Sequence, residues 1–213
     1  MGKVRVAGFA VSLDGFGAGS AQSFEHPLGH RGQELHNWFY PTRTFRSMIG
    51  QDGGTEGADD NFARTSMEGF GAFILGRNMF GPIRDEWPDD GWNGWWGDNP
   101  PYHAPTFILT HHAREPIVME GGTTFHFVTE GIDAALHQAQ QAAGDSDVKI
   151  GGGVSTVRQY LLAGAIDELH LVLSPVLLGD GEPLFASIDL PKLGYQVTEA
   201  VPTELATHIV LTR

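Results

Sequence analysis

The chain has 213 residues and carries 26 acidic against 13 basic side chains, which gives a formal net charge of −13 at pH 7. This excess of negative charge disfavours a nucleic acid or an anionic membrane surface as a partner, and no apolar run approaches the ~20 residues of a membrane span. The absence of cysteine excludes disulfides and any zinc site built on thiolates. Because the basic start is followed by a short β-branched run without a cleavage pattern, we expect no signal peptide and a cytoplasmic location. No low-complexity linker divides the sequence, so we expect one domain over residues 1–213.

A buried strand opens the chain. Val4, Val6, Phe9 and Val11 predict this strand, and the SLDG sequence that follows predicts an Asp-Gly turn at its end. Asp14 therefore lies at the mouth of the first strand. Its carboxylate either faces a ligand or stabilises the turn through a hydrogen bond of its own side chain.

Residues 17–60 are rich in glycine and predict irregular structure. So long a segment without regular elements is usually a functional or a mobile loop. His26, His30 and His36 lie in this segment at spacings that could ligate a metal, but no carboxylate completes a recognisable set of ligands. We therefore expect no metal site.

A second strand ends in a corner that contains glycine and arginine. Asp59 and Asp60 predict the cap of a short helix, and the strand AFIL follows it, leading to GRNMF at residues 76–80. Arg77 at this corner either binds a phosphate through two parallel hydrogen bonds or forms a surface ion pair. We favour the phosphate, because open α/β sheets bind their ligands at strand ends.

Four tryptophans follow within residues 81–105, among proline, glycine, aspartate and asparagine. Such a loop either caps a flat substrate, covers a subunit interface, or is fixed onto the core by its own indoles. The four residues are Trp87, Trp92, Trp95 and Trp96.

A third corner follows the strand TFIL, Thr106–Leu109. Its sequence THHAR, residues 110–114, supplies hydroxyl, imidazole and guanidinium groups in a chain that is otherwise poor in positive charge. This corner repeats the design of the second one, so we expect the two corners to serve the same anionic ligand.

The central stretch of the chain consists of a strand, three glycines and an amphipathic helix. Val148 and Ile150 favour a strand over DVKI, and after Gly151–Gly153 the sequence VSTVRQYLLAG has apolar residues at helical spacing. Bare backbone N–H groups and the positive end of a helix dipole meet at such a corner, which suits a phosphate or pyrophosphate, and Ser155 and Thr156 add hydroxyl donors. The spacing is not G-x-G-x-x-G, so a Rossmann site is disfavoured, while a tight turn without a ligand remains the alternative.

The chain ends in strands that no helical crossover separates. Residues 167–178, DELHLVLSPVLL, predict a long strand, GDGEP predicts a turn, and GYQVTEAV and LATHIVLTR predict the last two strands. We expect these strands to be antiparallel, which makes the sheet mixed.

Three segments together resemble a known family: FILGRNMF, FILTHHAR and DVKIGGGVSTVRQYLLAGAIDELHLVLSPVLLGDGEPLF. They are similar to the dihydrofolate reductase-like fold, and in particular to the reductase domain of the bifunctional deaminase-reductase of riboflavin biosynthesis, which SLDG near the start also resembles. The resemblance covers nearly the whole chain. It implies an α/β three-layer fold with a mixed, mainly parallel sheet, antiparallel C-terminal strands and flanking helices.

By this resemblance the chain would bind NADPH. The pyrophosphate would lie on the central corner and the helix after it, at Gly151, Gly152, Gly153, Val154, Ser155 and Thr156. The adenosine and its 2′-phosphate would lie among Gly76, Arg77, Asn78, Met79, Thr110, His111 and Arg114. The nicotinamide would lie along Ala10, Val11 and Gly15, the substrate would contact Leu13, Asp14, Trp38 and Phe39, and Asp14 would be the catalytic residue.

The resemblance implies a reductase that transfers hydride to a small heteroaromatic, pterin-like or pyrimidine-like, or carbonyl-type substrate, and it implies a homodimer. Two positions depart from the riboflavin branch: Gly8 stands where a lysine is typical in K-x-A-x-S-L-D-G, and Gly151 stands where E-G-G has its glutamate. The lost cation and the lost carboxylate weaken the case for a phosphoribosylated pyrimidine, and the deaminase half, whose zinc site needs cysteines, is missing. The alternative function is a protein that binds NADPH or another phosphorylated ligand without turnover.

Overall fold

The computed structural model describes residues 2–81, 85–87 and 91–213. The chain divides into two compact units, which we call the first unit (residues 1–5 and 69–165) and the second unit (residues 6–68 and 166–213). That the chain forms a single domain stays a prediction. None of the helices in the described ranges is both long and apolar enough to cross a membrane.

The described residues form eleven strands and five α-helices. The strands are β1 (Val4–Ser12), β2 (Phe16–Gly19), β3 (Phe70–Gly76), β4 (Pro105–Leu109), β5 (Ile117–Val118), β6 (Thr124–Val128), β7 (Asp147–Gly152), β8 (Glu168–Ser174), β9 (Gly181–Pro183), β10 (Gln196–Pro202) and β11 (Thr207–Thr212). The helices are α1 (Arg43–Met48), α2 (Ala58–Thr65), α3 (Arg77–Phe80), α4 (Ile132–Ala143) and α5 (Val154–Leu162), and two 3₁₀ turns span Gly32–His36 and Glu120–Gly122.

The first unit is built on parallel strands in the order β1-β7-β3-β4-β6, with β5 antiparallel to β6 at the end. Ile74, Ile108 and Ile150 on the middle strands are fully buried, and each such side chain contributes about 1.5–3 kcal/mol through burial. Helix α4 buries Ala135, Ala139 and Ala143 and packs on β3 and β4. These small residues let the helix lie close to the sheet.

The second unit continues β1 and has the strand order β10-β11-β8-β1. Strands β8, β11 and β10 are antiparallel neighbours, with Leu171 paired to Ile209 in the middle of the ladder. One buried cluster joins β1, the 32–40 segment, α2 and β8, and its members are Ala10, Leu35, Trp38, Ala63, Val172 and Ala206. The prediction of a mixed, mainly parallel sheet with antiparallel C-terminal strands is confirmed.

The central glycines do not end the strand at residue 150, as the sequence predicted. Strand β7 continues to Gly152, and α5 begins at Val154. The pairing with β3 passes from Ile150 opposite Ile74 to Gly152 opposite Leu75. A Cβ at the intervening Gly151 would lie 2.5 Å from the Leu75 Cδ2 atom, which favours glycine there. The glycines are therefore part of the packed strand as well as of its corner.

Residues 17–60 are more regular than their composition predicts. They contain β2, a 3₁₀ turn and α1. The backbone at Gly19 lies so close to the backbone at Gly29 and His30 that a side chain on either glycine would collide with it. Helix α2 begins at Ala58, so the prediction that Asp59 and Asp60 cap it is wrong. The two carboxylates lie in its first turn, where their negative charge interacts favourably with the positive end of the helix dipole.

Two boundaries near the C-terminus also differ from the predicted ones. The GDGEP sequence contributes β9, which pairs with β2 in a separate two-stranded sheet instead of forming only a turn. The long strand predicted over residues 167–178 ends at Ser174. Pro175 follows it, and proline has no N–H group with which to continue the ladder.

Candidate functional site

The first unit brings the three predicted corners to one edge of the sheet. Strands β7, β3 and β4 are adjacent and parallel, so their carboxyl ends lie side by side. A Cβ placed on Gly76 would lie 2.5 Å from the Thr156 Oγ1 and 3.3 Å from the Gly153 nitrogen, which means that the second corner and the central corner touch. Gly76 pairs with Leu109, and the third corner therefore begins beside Arg77.

The central corner presents open backbone at a helix start. Gly152 has φ of +124°, a conformation that side chains disfavour, and it is joined to Gly153 by a cis peptide bond. Gly153 precedes α5 without a side-chain cap, and a Cβ added to it would meet no atom within 4 Å. The first N–H groups of a helix have no acceptor within the helix, so this corner can receive an anion.

The predicted side chains of this corner divide into exposed and buried ones. Ser155 is exposed and its hydroxyl can reach a ligand, whereas Thr156 is buried against the Gly76 corner. Val154 is buried as well, so it can contribute only through its backbone N–H group.

Arg77 lies in an unusual setting at the second corner. Its guanidinium carbon lies 3.3 Å from the centre of the Trp87 ring, and among the described residues its Nε and Nη2 atoms are buried without a hydrogen-bond partner. Burial, together with the nearby charge of Arg114, lowers the pKa of Arg77 to about 10. Two cations next to each other attract an anion, because an anion relieves both the repulsion and the lost hydration.

The third corner adds Arg114, and Trp87 links it to the second corner. The Arg114 guanidinium lies 4.9 Å from the centre of the Trp87 ring and 5.4 Å from that of Phe127. The Trp87 indole N–H donates to the His112 carbonyl oxygen at 2.8 Å. Sequence reasoning placed Trp87 in an aromatic loop and did not assign it to the site.

The remaining predicted residues of these corners differ in what they offer a ligand. His111 is exposed, whereas the Thr110 hydroxyl accepts the His112 N–H at 3.2 Å and so stabilises its own turn. The Asn78 carbonyl accepts the Trp95 indole N–H at 3.0 Å, and Met79 packs against a buried apolar cluster.

The indoles of the tryptophan loop fix it onto the first unit. Trp92 donates to the Phe80 carbonyl at 2.8 Å, as Trp95 does to Asn78 and Trp87 does to His112. Of the three alternatives weighed for this loop, these bonds support the one in which the indoles hold it to the core. Residues 82–84 and 88–90 of the same segment lie outside the described residues.

In the second unit, Asp14 holds two turns together. Its carboxylate accepts the Ser12 hydroxyl at 2.5 Å, the Gly179 N–H at 2.7 Å and the Leu178 N–H at 3.2 Å. The Ser12 hydrogen bond is the main cause that lowers the pKa of Asp14, and the two backbone N–H groups act in the same direction. An ionised carboxylate with both oxygens engaged orients its neighbours more readily than it delivers a proton, and a catalytic role for Asp14 stays a prediction.

The other predicted residues of the second unit lie close to this turn or in the core below it. Leu13 is 57% exposed, and the Gly15 carbonyl accepts the Leu184 N–H at 2.9 Å. Ala10 and Val11 are buried on β1, so their backbone is what they can offer a ligand. Trp38 and Phe39 pack in the same cluster as Ala10.

A buried chain of hydrogen bonds in the second unit was missed by sequence reasoning. The Gly8 N–H donates to the His170 Nδ1 at 3.1 Å, which leaves the proton of His170 on Nε2, 3.0 Å from the His208 Nδ1. His208 then carries its own proton on Nε2 and donates to the Asp59 carboxylate at 2.8 Å. Burial lowers the pKa of His208 although Asp59 opposes this, so the His208 ring is neutral at pH 7. No local sequence signal joins residues so far apart in the chain.

His26, His30 and His36 do not form a metal site in the described part of the chain, where no group of three or more His, Cys, Asp or Glu side chains is arranged to hold a metal ion. Burial lowers the pKa of His36 to about 4, and its Nδ1 atom has no partner among the described residues.

Comparison with known proteins gives a consistent result. The family model described as the RibD C-terminal domain matches residues 4–210. The uncharacterized protein YwjB of Bacillus subtilis (strain 168) is 39% identical over 85 residues, which are 39% of this chain and 48% of that protein. The matched segment thus spans about half the length of this relative.

Three solved structures share the fold over the length of this chain. A protein of Shewanella sp. PV-4 described as a riboflavin biosynthesis protein has 21% identity and a TM-score of 0.58, with 100% of this chain and 99% of the other covered. The deaminase/reductase of Thermotoga maritima has 12% identity and a TM-score of 0.54, covering 99% and 56%. Dihydrofolate reductase from Enterococcus faecalis, complexed with NADP(H), has 14% identity and a TM-score of 0.53, covering 99% and 96%. The fold is therefore dihydrofolate reductase-like.

Proposed function

The chain belongs to the RibD C-terminal domain family, and on that premise we propose that it is an NADPH-dependent reductase. Its substrate would be a small heteroaromatic molecule of the pterin or pyrimidine class, or a carbonyl compound. A cytoplasmic location is part of the same proposal.

One observation carries the proposal: an open glycine corner and an arginine with unpaired donors meet at one sheet edge of the first unit. Gly153 has free space beside it at the start of α5, and the buried Nε and Nη2 of Arg77 find no acceptor in the described ranges. A pyrophosphate and a 2′-phosphate would satisfy these two features. NADPH carries both groups, and NADH carries only the first.

Each group of residues has a definite task in this proposal. The backbone of Gly151–Gly153 with Val154, Ser155 and Thr156 would hold the pyrophosphate, and Arg77 with Arg114 would hold the 2′-phosphate. The proposal keeps Gly76, Asn78, Met79, Thr110 and His111 as neighbours of the adenosine, and Ala10, Val11 and Gly15 as the residues that line the nicotinamide. When bound, the cofactor supplies the hydride, while the protein aligns the reacting faces and excludes water.

A glycine on the first strand favours a substrate without a phosphoribosyl group. Gly8 occupies the position of the lysine that is typical of the riboflavin branch, it has φ of +73°, and a Cβ there would lie 3.2 Å from the Ser66 Cβ. A long cationic side chain is therefore disfavoured at this position. Leu13 and Asp14, with Trp38 and Phe39, remain the residues proposed to contact the substrate.

Binding and turnover measured in sequence test this function. We expect calorimetry to give a stoichiometric complex with NADPH and weaker binding of NADH. Absorbance should then show NADPH oxidation with at least one compound from a panel of pterins, pyrimidines and quinoids. If NADPH does not bind, the proposal is wrong.

A stoichiometric NADPH complex that no compound oxidises would instead favour a binding protein without turnover. The observation in favour of this second candidate is the Asp14 carboxylate, whose pKa is lowered and which accepts three hydrogen bonds.

A further inference from the structure

We propose that Trp87 is a positioning residue that sets the preference for NADPH over NADH, because it holds the Arg77 guanidinium while leaving two of its N–H donors unpaired among the described residues. This inference deepens the proposed function and rests on it.

The contact between Arg77 and Trp87 is a stack. The guanidinium carbon lies 3.3 Å from the centre of the indole ring, a separation that requires the guanidinium to lie over the ring face. Stacking uses the face of the guanidinium and leaves its N–H groups, which lie in its plane, available for acceptors. Trp87 can therefore fix Arg77 without occupying its donors.

The two Arg77 donors that the stack leaves unpaired within the described ranges match the geometry of a phosphate group. Nε and Nη2 share one edge of the guanidinium, and they are the two Arg77 atoms that are buried without an acceptor in the described residues. Two parallel N–H groups match two oxygens of one phosphate. A buried donor left unpaired is unfavourable, so the arrangement needs both a platform that maintains it and an anion that completes it.

Trp87 is itself held on three sides, which makes it a rigid platform. Its indole N–H donates to the His112 carbonyl at 2.8 Å. Its ring packs edge-on against Phe127, with centroids 4.8 Å apart, and against Phe80, with centroids 5.7 Å apart. The ring cannot turn away from Arg77 without breaking these contacts.

The same indole gathers a second cation. Arg114 lies 4.9 Å from the centre of the Trp87 ring, so two guanidinium groups share one aromatic surface in a chain whose net charge is −13. The mutual repulsion of the two cations opposes this arrangement, and the indole face, which attracts cations, offsets it. A phosphate dianion fits this setting, whereas the ribose hydroxyl of NADH gains little from it.

The test compares ligands with and without the 2′-phosphate. Dissociation constants for NADPH, NADH, 2′,5′-ADP and 5′-AMP are measured by calorimetry on the whole protein and on Trp87→Leu, which removes the aromatic face. We expect Trp87→Leu to weaken the binding of NADPH and 2′,5′-ADP by about tenfold or more. The affinities for NADH and 5′-AMP should change by less than about threefold. Trp87→Phe, which keeps a ring for stacking, should retain most of the preference.

Two controls separate positioning from general damage. Trp96→Leu removes a tryptophan that is 42% exposed and should leave all four affinities unchanged. In an Arg77→Ala background, Trp87→Leu should have no further effect on NADPH, because it acts through Arg77. Trp87→Met, which fills the space with a flexible apolar chain, replaces Trp87→Leu if the latter does not fold.

The outcomes distinguish this inference from the proposed function. Suppose that the unmodified protein prefers NADPH. If Trp87→Leu keeps that preference, or weakens the binding of NADPH and NADH equally, only the proposed role of Trp87 is wrong. If the unmodified protein does not prefer NADPH, the proposed function fails and this inference fails with it.

Discussion

The hydrogen bonds that Asp14 accepts give it a structural task, and its predicted catalytic role can be tested separately. Asparagine keeps one side-chain oxygen but presents an amide to one of the backbone N–H groups that Asp14 now accepts. We expect Asp14→Asn to fold with a lower melting temperature and to keep the shape of the pH–rate profile for NADPH oxidation. Because the pKa of Asp14 is lowered in the fold, its contribution to stability is present above pH ~4 and is lost on further acidification.

Loss of the pH dependence of turnover in Asp14→Asn would contradict this interpretation, and it would restore proton delivery as the task of this carboxylate.

Two buried histidines make the stability of the protein depend on pH. His36 has a pKa lowered to about 4, and the pKa of His208 is lowered as well, so both are neutral in the folded protein. The unfolded chain binds these protons near pH ~6.5. The contribution of the neutral histidines to the free energy of unfolding should therefore be complete above that pH. It should fall towards pH 4, by about 3 kcal/mol for His36 alone.

Urea unfolding at pH 7.5, 6, 5 and 4 measures this effect. His36→Gln should flatten the profile, whereas His137→Gln, which changes an exposed helix residue, should not. A profile that is the same in His36→Gln and in the unmodified protein would mean that His36 titrates normally.

At the scale of elements, the corner between β7 and α5 contains two adjacent glycines, of which only Gly152 has a backbone conformation that requires glycine. Gly152 has φ of +124°, where alanine is strained, while Gly153 has φ of −73° and open space at its Cβ position. We expect Gly152→Ala to lose about 1–3 kcal/mol of stability together with NADPH affinity. Gly153→Ala should keep its stability within about 0.5 kcal/mol and still lose affinity, since its methyl group would enter the space proposed for the pyrophosphate.

Thermal unfolding without ligand and calorimetric titration with NADPH separate the two effects. Full NADPH affinity in both variants would remove the glycine corner from the cofactor site.

Sequence reasoning located the elements whose signals are local. The apolar residues of β7 and the glycines after them predict a strand, a corner and a helix, and the corners meet because parallel neighbours end at one edge. The pairing of β2 with β9 was missed, since it joins short glycine-rich segments from opposite ends of the chain. The stack of Trp87 on Arg77 and the chain from Asp59 to Gly8 were missed for the same reason: each depends on contacts between residues that are distant in sequence.

At the scale of the whole molecule, the strongly acidic composition makes the partly buried arginines at the corners important for anion binding. A net charge of −13 repels anions from most of the surface, so a phosphate must be bound by a local group such as Arg77 with Arg114. The residue types at the corners indicated this from the sequence, whereas the burial and the stacking of Arg77 required the structure.

The exposed edge of the second unit supports a homodimer, which the family resemblance also implies. Strand β10 lies at the end of the strand order of that unit, nearly all of its residues are exposed, and Val197 is 60% exposed. An unpaired edge of this kind favours pairing with a second copy. We expect sedimentation velocity at micromolar concentration to give a dimer, and Val197→Lys to shift it towards monomer; a single species of 23.1 kDa would contradict this.

The central claim is that this protein binds NADPH through Arg77, and the most direct test is a calorimetric comparison of NADPH and NADH on the unmodified protein and on Arg77→Ala. Removing two charge-assisted hydrogen bonds to the 2′-phosphate should weaken NADPH by about 10- to 100-fold, while NADH changes by less than about threefold. Arg64→Ala, which removes an exposed arginine in the second unit, should alter neither affinity. Equal weakening of both cofactors in Arg77→Ala, or no weakening of either, would contradict the account.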